Sequence, residues 1–139
     1  MPKPPTIPCY CLKTRRAAAA ITRHYDRALV PCGVTANQFF LMLNLSWTPG
    51  CTAGKLADMA GLDRSTLTRN LRPLMDKNLV RDAASPEARD YRLELSEHGL
   101  ETLECARVRW EQAQEDVRRR LGDVGLAALD AALAALGTL

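Results

Sequence analysis

The sequence predicts a mainly α fold with a small β component, in which a helix-turn-helix and a two-stranded hairpin sit between long helical ends. Three observations predict it. Apolar residues recur at helical spacing through both ends of the chain; a turn at Gly61 separates two short amphipathic stretches; and an alternating run at Tyr91–Leu95 follows a turn-rich segment.

Taken in order, the first helix is predicted over Lys13–Val30, with Ala17 to Ile21, Tyr25, Ala28 and Leu29 as its apolar surface and Pro31 and Gly33 ending it. Thr35 is the N-cap of a second helix. Its Phe39, Phe40, Met42, Leu43 and Leu45 are apolar on more than one face, as befits a central core helix, and Trp47 to Gly50 mark its end. Ala57 and Gly61 are small residues where two helices cross, Gly61 is free to take the left-handed geometry after a helix end, and Leu62 folds back as an apolar anchor.

Asp63 follows as the N-cap of a helix starting at about Arg64, where its carboxylate accepts from an unpaired amide and favours the positive helix end. Leu67, Leu71, Leu74 and Met75 form the buried stripe, which turns Arg64, Ser65, Thr66, Thr68, Arg69 and Arg72 outward. Pro73 predicts a kink or a tightened last turn. Leu79 and Val80 begin an extended run that pairs with a half-buried strand in which Tyr91, Leu93 and Leu95 alternate with Arg92 and Glu94. The loop Ala83–Asp90 carries Ser85 and Pro86 as turn formers and Arg89 near its tip, where a long cation can enter a narrow minor groove.

Ser96 caps a long amphipathic helix marked by Leu100, Leu103, Ala106, Trp110, Ala113, Val117 and Leu121. Gly122 and Gly125 are expected to interrupt it, leaving Leu126–Leu136 as a last short helix with leucines along one side. The whole is a mainly α (α+β) winged helix: one domain over 1–139, with a winged helix-turn-helix lobe at about 34–96 and helices at about 9–30 and 97–139.

These elements point to double-stranded DNA as a partner. A solvated helix usually mixes both signs of charge, whereas the outward face from Arg64 to Arg72 is hydroxyl and guanidinium with no exposed acid before Asp76, suited to phosphates and base edges. Apolar helices at both ends are most simply covered in a homodimer whose ends intertwine; an intramolecular bundle is the alternative. A twofold dimer sets its two reading helices roughly 34 Å apart and predicts a near-palindromic site.

Composition bounds other classes. The net charge of +3 is too small to argue for nucleic acid by itself, so the weight falls on its distribution. No window is a run of about 20 apolar residues, and MPKPPTIP lacks the charged-then-apolar layout of a secretory signal, so no membrane and a cytoplasmic location are expected. Five cysteines (Cys9, Cys11, Cys32, Cys51 and Cys105) are an odd number without a secretion signal and argue for reduced thiols. With only His24 and His98 and no Cys-x-x-Cys pair, neither metal nor cofactor is expected. No Gly-x-Ser-x-Gly, phosphate loop or His-Glu-x-x-His stands in the chain, so no enzyme is expected. A helical protein-interaction module that never touches DNA is the different-class alternative; it accounts for the apolar ends but not for the acid-free face.

Gly33-Val34-Thr35 with Gln38-Phe39, Leu56-Ala57 to Leu74, and Leu93-Glu94-Leu95-Ser96 with Gly99 resemble the MarR family of winged-helix regulators, across nearly the whole chain. The resemblance implies a homodimer on pseudo-palindromic DNA, usually a repressor, released by a small aromatic ligand or by thiol oxidation. It also implies a ligand cleft where the dimerisation helices, here about 9–30 and 97–139, meet the winged-helix lobe. On that reading Cys9 and Cys11, ahead of the first helix, are the redox candidates, and Arg16, Arg23, His24 and Tyr25 are the candidates to meet a ligand carboxylate. The family's wing commonly reads Asp-Pro-x-Asp-Arg-Arg; Ser85-Pro86-Glu87-Ala88-Arg89-Asp90 keeps the proline and first arginine but lacks both aspartates and the second arginine, leaving Glu87 or Asp90 to orient Arg89.

Overall fold

Phe39, Leu41, Met42 and Leu45, all within one helix, are almost fully buried, so the core is built around that helix. The computed structural model describes Met1 and residues 9–139; the Pro-rich start read above lies outside the described residues. The elements are α1 (Tyr10–Leu29), a 3-10 turn (Val30–Cys32), α2 (Ala36–Trp47), α3 (Ala53–Ala60), α4 (Arg64–Asp76), β1 (Val80–Asp82), β2 (Leu93–Leu95) and α5 (Glu97–Leu136). Helix α2 touches α1, α3, α4, α5 and β2. Its start is held twice: Thr35 and Gln38 form a reciprocal capping box, and Asp26 of α1 accepts from the Ala36 amide at 2.8 Å.

Gly61 (φ 65°) ends α3, the Leu62 amide reaching back to the Ala57 carbonyl at 3.0 Å, as expected of a left-handed helix end. Pro73 leaves α4 intact. The helix closes a turn later at Asn78 (φ 57°), whose amide reaches the Met75 carbonyl while that of Leu79 reaches Leu74.

The hairpin is shorter than its residue pattern predicts. Strand β2 pairs antiparallel with β1, Val80 opposite Leu95 and Asp82 opposite Leu93, and Tyr91 lies outside it, exposed. The reason is Asp82: its carboxylate accepts from the amides of both Ala84 and Arg92, so these amides turn towards a side chain and the ladder gives way to the wing loop. On its other edge Leu93 pairs with Cys51, which ties the wing to the start of α3.

Two further expectations change. Helix α1 begins at Tyr10, so Cys9 is its N-cap residue and Cys11 lies exposed within its first turn rather than ahead of the helix. Helix α5 breaks at Gly122 alone (φ 67°, ψ 174°), a conformation essentially reserved for glycine; Gly125 is helical, and the last helical stretch starts before Leu126.

Candidate nucleic-acid interface

The outer face of α4 is organised from its first residue. Asp63 Oδ1 accepts from the Thr66 amide and the Ser65 hydroxyl, each at 2.8 Å, and Oδ2 from the Thr66 hydroxyl at 3.0 Å. These bonds to the charged form, the Thr66 amide first, hold the Asp63 carboxyl down at about 2. The Thr66 hydroxyl also accepts from Arg69 Nη2 at 3.2 Å, so Asp63, Thr66 and Arg69 form a chain that aims the guanidinium. Thr68 turns its hydroxyl back onto the Arg64 carbonyl at 2.9 Å. Arg64, Ser65, Thr68, Arg69 and Arg72 are exposed, whereas Thr66 is half-buried and its hydroxyl is engaged with Asp63.

Arg64 and Arg89 come from different elements and meet across one groove. Thr52, Ala53 and Gly54 at the start of α3 and Asp90 and Tyr91 of the wing complete its lining, around a volume of about 330 Å³. Gly54 keeps the approach open: a Cβ would stand 3.2 Å from Arg64 Nη1, so the tip of that side chain would have to give by a few tenths of an ångström. A turn with Pro86 at its second position, closed by the Ala88 amide on the Ser85 carbonyl at 3.0 Å, carries Arg89. Arg89 forms no ion pair with Glu87 or Asp90, so neither acid orients it. Farther along α4, Thr68, Arg69, Arg72, Pro73, Asp76 and Lys77 line a second groove of about 440 Å³.

The ligand candidates do not form one cluster. Tyr25 donates to Gln114 Oε1 and lines a cleft of about 310 Å³ with Ile21, Phe40 and Trp110; burial raises its phenol above the ordinary range. His24 belongs to a different hollow of about 500 Å³ between α1 and α5, with its Nε2 3.5 Å from Asp116 Oδ2. Arg16 and Arg23 are exposed on α1 and line neither. Residue spacing on α1 could not reveal this division, since α5 decides which side of each turn faces a cavity. Residue reading also missed Thr52, Gly54 and Tyr91 in the groove, although the lone Gly54 near a helix start was a signal for close approach.

Transcriptional regulator MosR of Mycobacterium tuberculosis, solved in complex with DNA, is 37% identical; the match covers 94% of this chain and 96% of that one, with a TM-score of 0.78. The chain belongs to the MarR family. The MarR family model matches residues 34–89, from the residue before the α2 cap to the wing arginine. The MarR-type chain is also similar to the transcriptional repressor CouR bound to a 23-mer DNA duplex, at 25% identity over 93% of this chain and 92% of that one (TM-score 0.80). A third similar structure is a Mycobacterium tuberculosis MarR family protein in complex with p-aminosalicylic acid, at 26% identity over 93% and 98% of the two chains (TM-score 0.67). No curated protein matches in sequence. Among the described residues no single helix is long and apolar enough to cross a membrane.

Proposed function

We propose that this MarR-family protein is a cytoplasmic, homodimeric repressor that reads a pseudo-palindromic operator through α4 and the wing. The observation that carries the reading is the convergence of Arg64 and Arg89 on one groove, continued along α4 by the exposed Thr68, Arg69 and Arg72. Arg69, aimed by the Asp63–Thr66 chain, is the base reader in this scheme; Arg64, Arg72 and Arg89 are the phosphate-directed charges. The relatives solved with DNA support the assignment, as does the reach of the family match up to Arg89.

The dimer reading rests on apolar residues that one chain leaves uncovered at its two ends, Ile21 on α1 and Val124, Leu133 and Leu136 on α5. Release follows either of two routes, an aromatic ligand or thiol oxidation. The cleft beside Tyr25, Phe40 and Trp110 favours the first, with an aromatic ring seated on the apolar wall and Tyr25 and Gln114 supplying polar contacts.

The test is fluorescence anisotropy of the reduced protein against DNA from upstream of its own gene, with Arg69→Ala alongside. We expect nanomolar-range binding that Arg69→Ala weakens by roughly 1–3 kcal/mol, with relaxed preference at one base position. Dimerisation without binding to any DNA tried would favour the protein-interaction alternative.

A further inference from the structure

Cys32 and Cys105 are 73 positions apart in the chain, yet their sulfurs lie 3.2 Å from one another. Cys32 sits in the 3-10 turn between α1 and α2, half-buried, and Cys105 is exposed on α5. Among the described residues the other thiols, Cys9, Cys11 and Cys51, have no sulfur partner. We propose that Cys32 and Cys105 close into a reversible disulfide when a hydroperoxide reaches the protein, and that this bond is the thiol switch of the chain.

The geometry asks for little movement. A disulfide spans about 2.05 Å, so the sulfurs need to approach by roughly 1.2 Å from their 3.2 Å separation, a shift shared by the Cys105 side chain and the short 3-10 turn that carries Cys32. The environment divides the roles. Burial, with the neighbouring Cys105, pushes the Cys32 thiol up to about 11, while the Arg109 guanidinium pulls the other way. Cys32 therefore waits as a protonated thiol, and Cys105 meets the oxidant.

The Cys105 thiolate attacks the distal peroxide oxygen, the O–O bond breaks, and the alkoxide leaves and takes up a proton as the alcohol, giving a Cys105 sulfenic acid. Cys32 sulfur then attacks the sulfenyl sulfur; the S–O bond breaks, and the departing hydroxide and the Cys32 proton leave as water. Two thiols are oxidised, one hydroperoxide is reduced, and a dithiol reverses the bond.

The bond would act on the DNA-reading helix through one short connection. Cys32 abuts Gly33 (φ 73°), whose carbonyl accepts from Lys77 Nζ at 2.5 Å, and Lys77 is the C-cap residue of α4. Drawing Cys32 onto α5 displaces the turn that anchors the end of α4. This consequence rests on the proposed function; formation of the bond does not.

The experiment exposes reduced full-length protein to one equivalent of tert-butyl hydroperoxide and maps non-reduced peptides by mass spectrometry, with DNA affinity measured on the same samples. We expect a Cys32–Cys105 linked peptide, a loss of about 2 Da per chain reversed by dithiothreitol, and a fall in DNA affinity of roughly tenfold or more. Cys32→Ser and Cys105→Ser should each abolish link and loss of affinity, while the double variant Cys9→Ser/Cys11→Ser should retain both. Linkage of Cys9 to Cys11 alone, or Cys105 driven to sulfinic acid with Cys32 still a free thiol, overturns the pairing. A link that leaves affinity unchanged overturns the switch. Reduced protein that binds no DNA overturns the proposed function instead, and the peptide map still decides the pairing.

Discussion

Gly99→Ala sets two physical effects against each other at the joint between wing and α5. In a helix alanine is better than glycine by up to about 1 kcal/mol, so even at the third residue of α5 helix propensity alone predicts a more stable protein. The structure predicts the reverse. A Cβ at Gly99 would lie 2.0 Å from the Leu79 carbonyl oxygen and 3.0 Å from its carbon, and both are backbone atoms that cannot swing aside. That carbonyl also accepts from the Ser96 amide at 3.0 Å and from the Ser96 hydroxyl at 3.3 Å, so moving it loosens the α5 cap as well. Overpacking costs about 1–3 kcal/mol, and two weakened hydrogen bonds about 1 kcal/mol each. Set against the propensity gain, the net is destabilisation by about 3 kcal/mol. For a domain of this size that lowers Tm by roughly 10 °C. The assay is urea and thermal unfolding by circular dichroism at matched protein concentration, because stability linked to assembly depends on it. An unchanged or raised Tm would refute the packing argument and with it the close docking of α5 on Leu79.

Three further outcomes follow from the geometry. Asp63 ionises at about 2 in the folded chain, below the roughly 3.9 of an unfolded aspartate, so its contribution is complete above that higher value and is lost as pH falls towards 2. The stability gap between wild type and Asp63→Ser should therefore be flat from pH 5 upward and narrow between about pH 4 and pH 2 in acid-unfolding scans; a gap constant across that window contradicts the cap chemistry. Arg89→Ala should weaken DNA binding and make the log-affinity against log-salt slope shallower by roughly one unit per subunit, and an unchanged slope would remove Arg89 from the phosphate contacts. Leu133→Asp with Leu136→Asp places charge on residues 51% and 44% exposed in the single chain; sedimentation should then report monomer with helicity retained, and an intact dimer would locate the interface elsewhere.

Much of the DNA-reading unit was legible because its signals are local. The Asp63 cap, the Gly61 turn and the Leu67, Leu71 and Leu74 stripe each depend on residues within a turn or two of one another, and short-range sterics decide them. The wing was less legible. Alternation marks Tyr91 as strand, but the Asp82 side chain competes for the amide of Arg92, and that competition depends on a residue ten positions away. Gly122 and Gly125 look alike in sequence; only the packed backbone assigns the break to the first.

By itself the sequence determined the helix boundaries near its caps, the acid-free basic face of α4 and the kinship of residues 34–89, since periodicity, capping and turn chemistry act over a few residues. Tertiary structure decided what the long-range approaches make: Arg64 with Arg89 across one groove, His24 and Tyr25 in separate hollows, and the Cys32 and Cys105 sulfurs side by side. The physical reason is that these pairs are brought together by the docking of α1, α5 and the wing around α2, and side-chain spacing along the chain carries no record of which distant turn will face them.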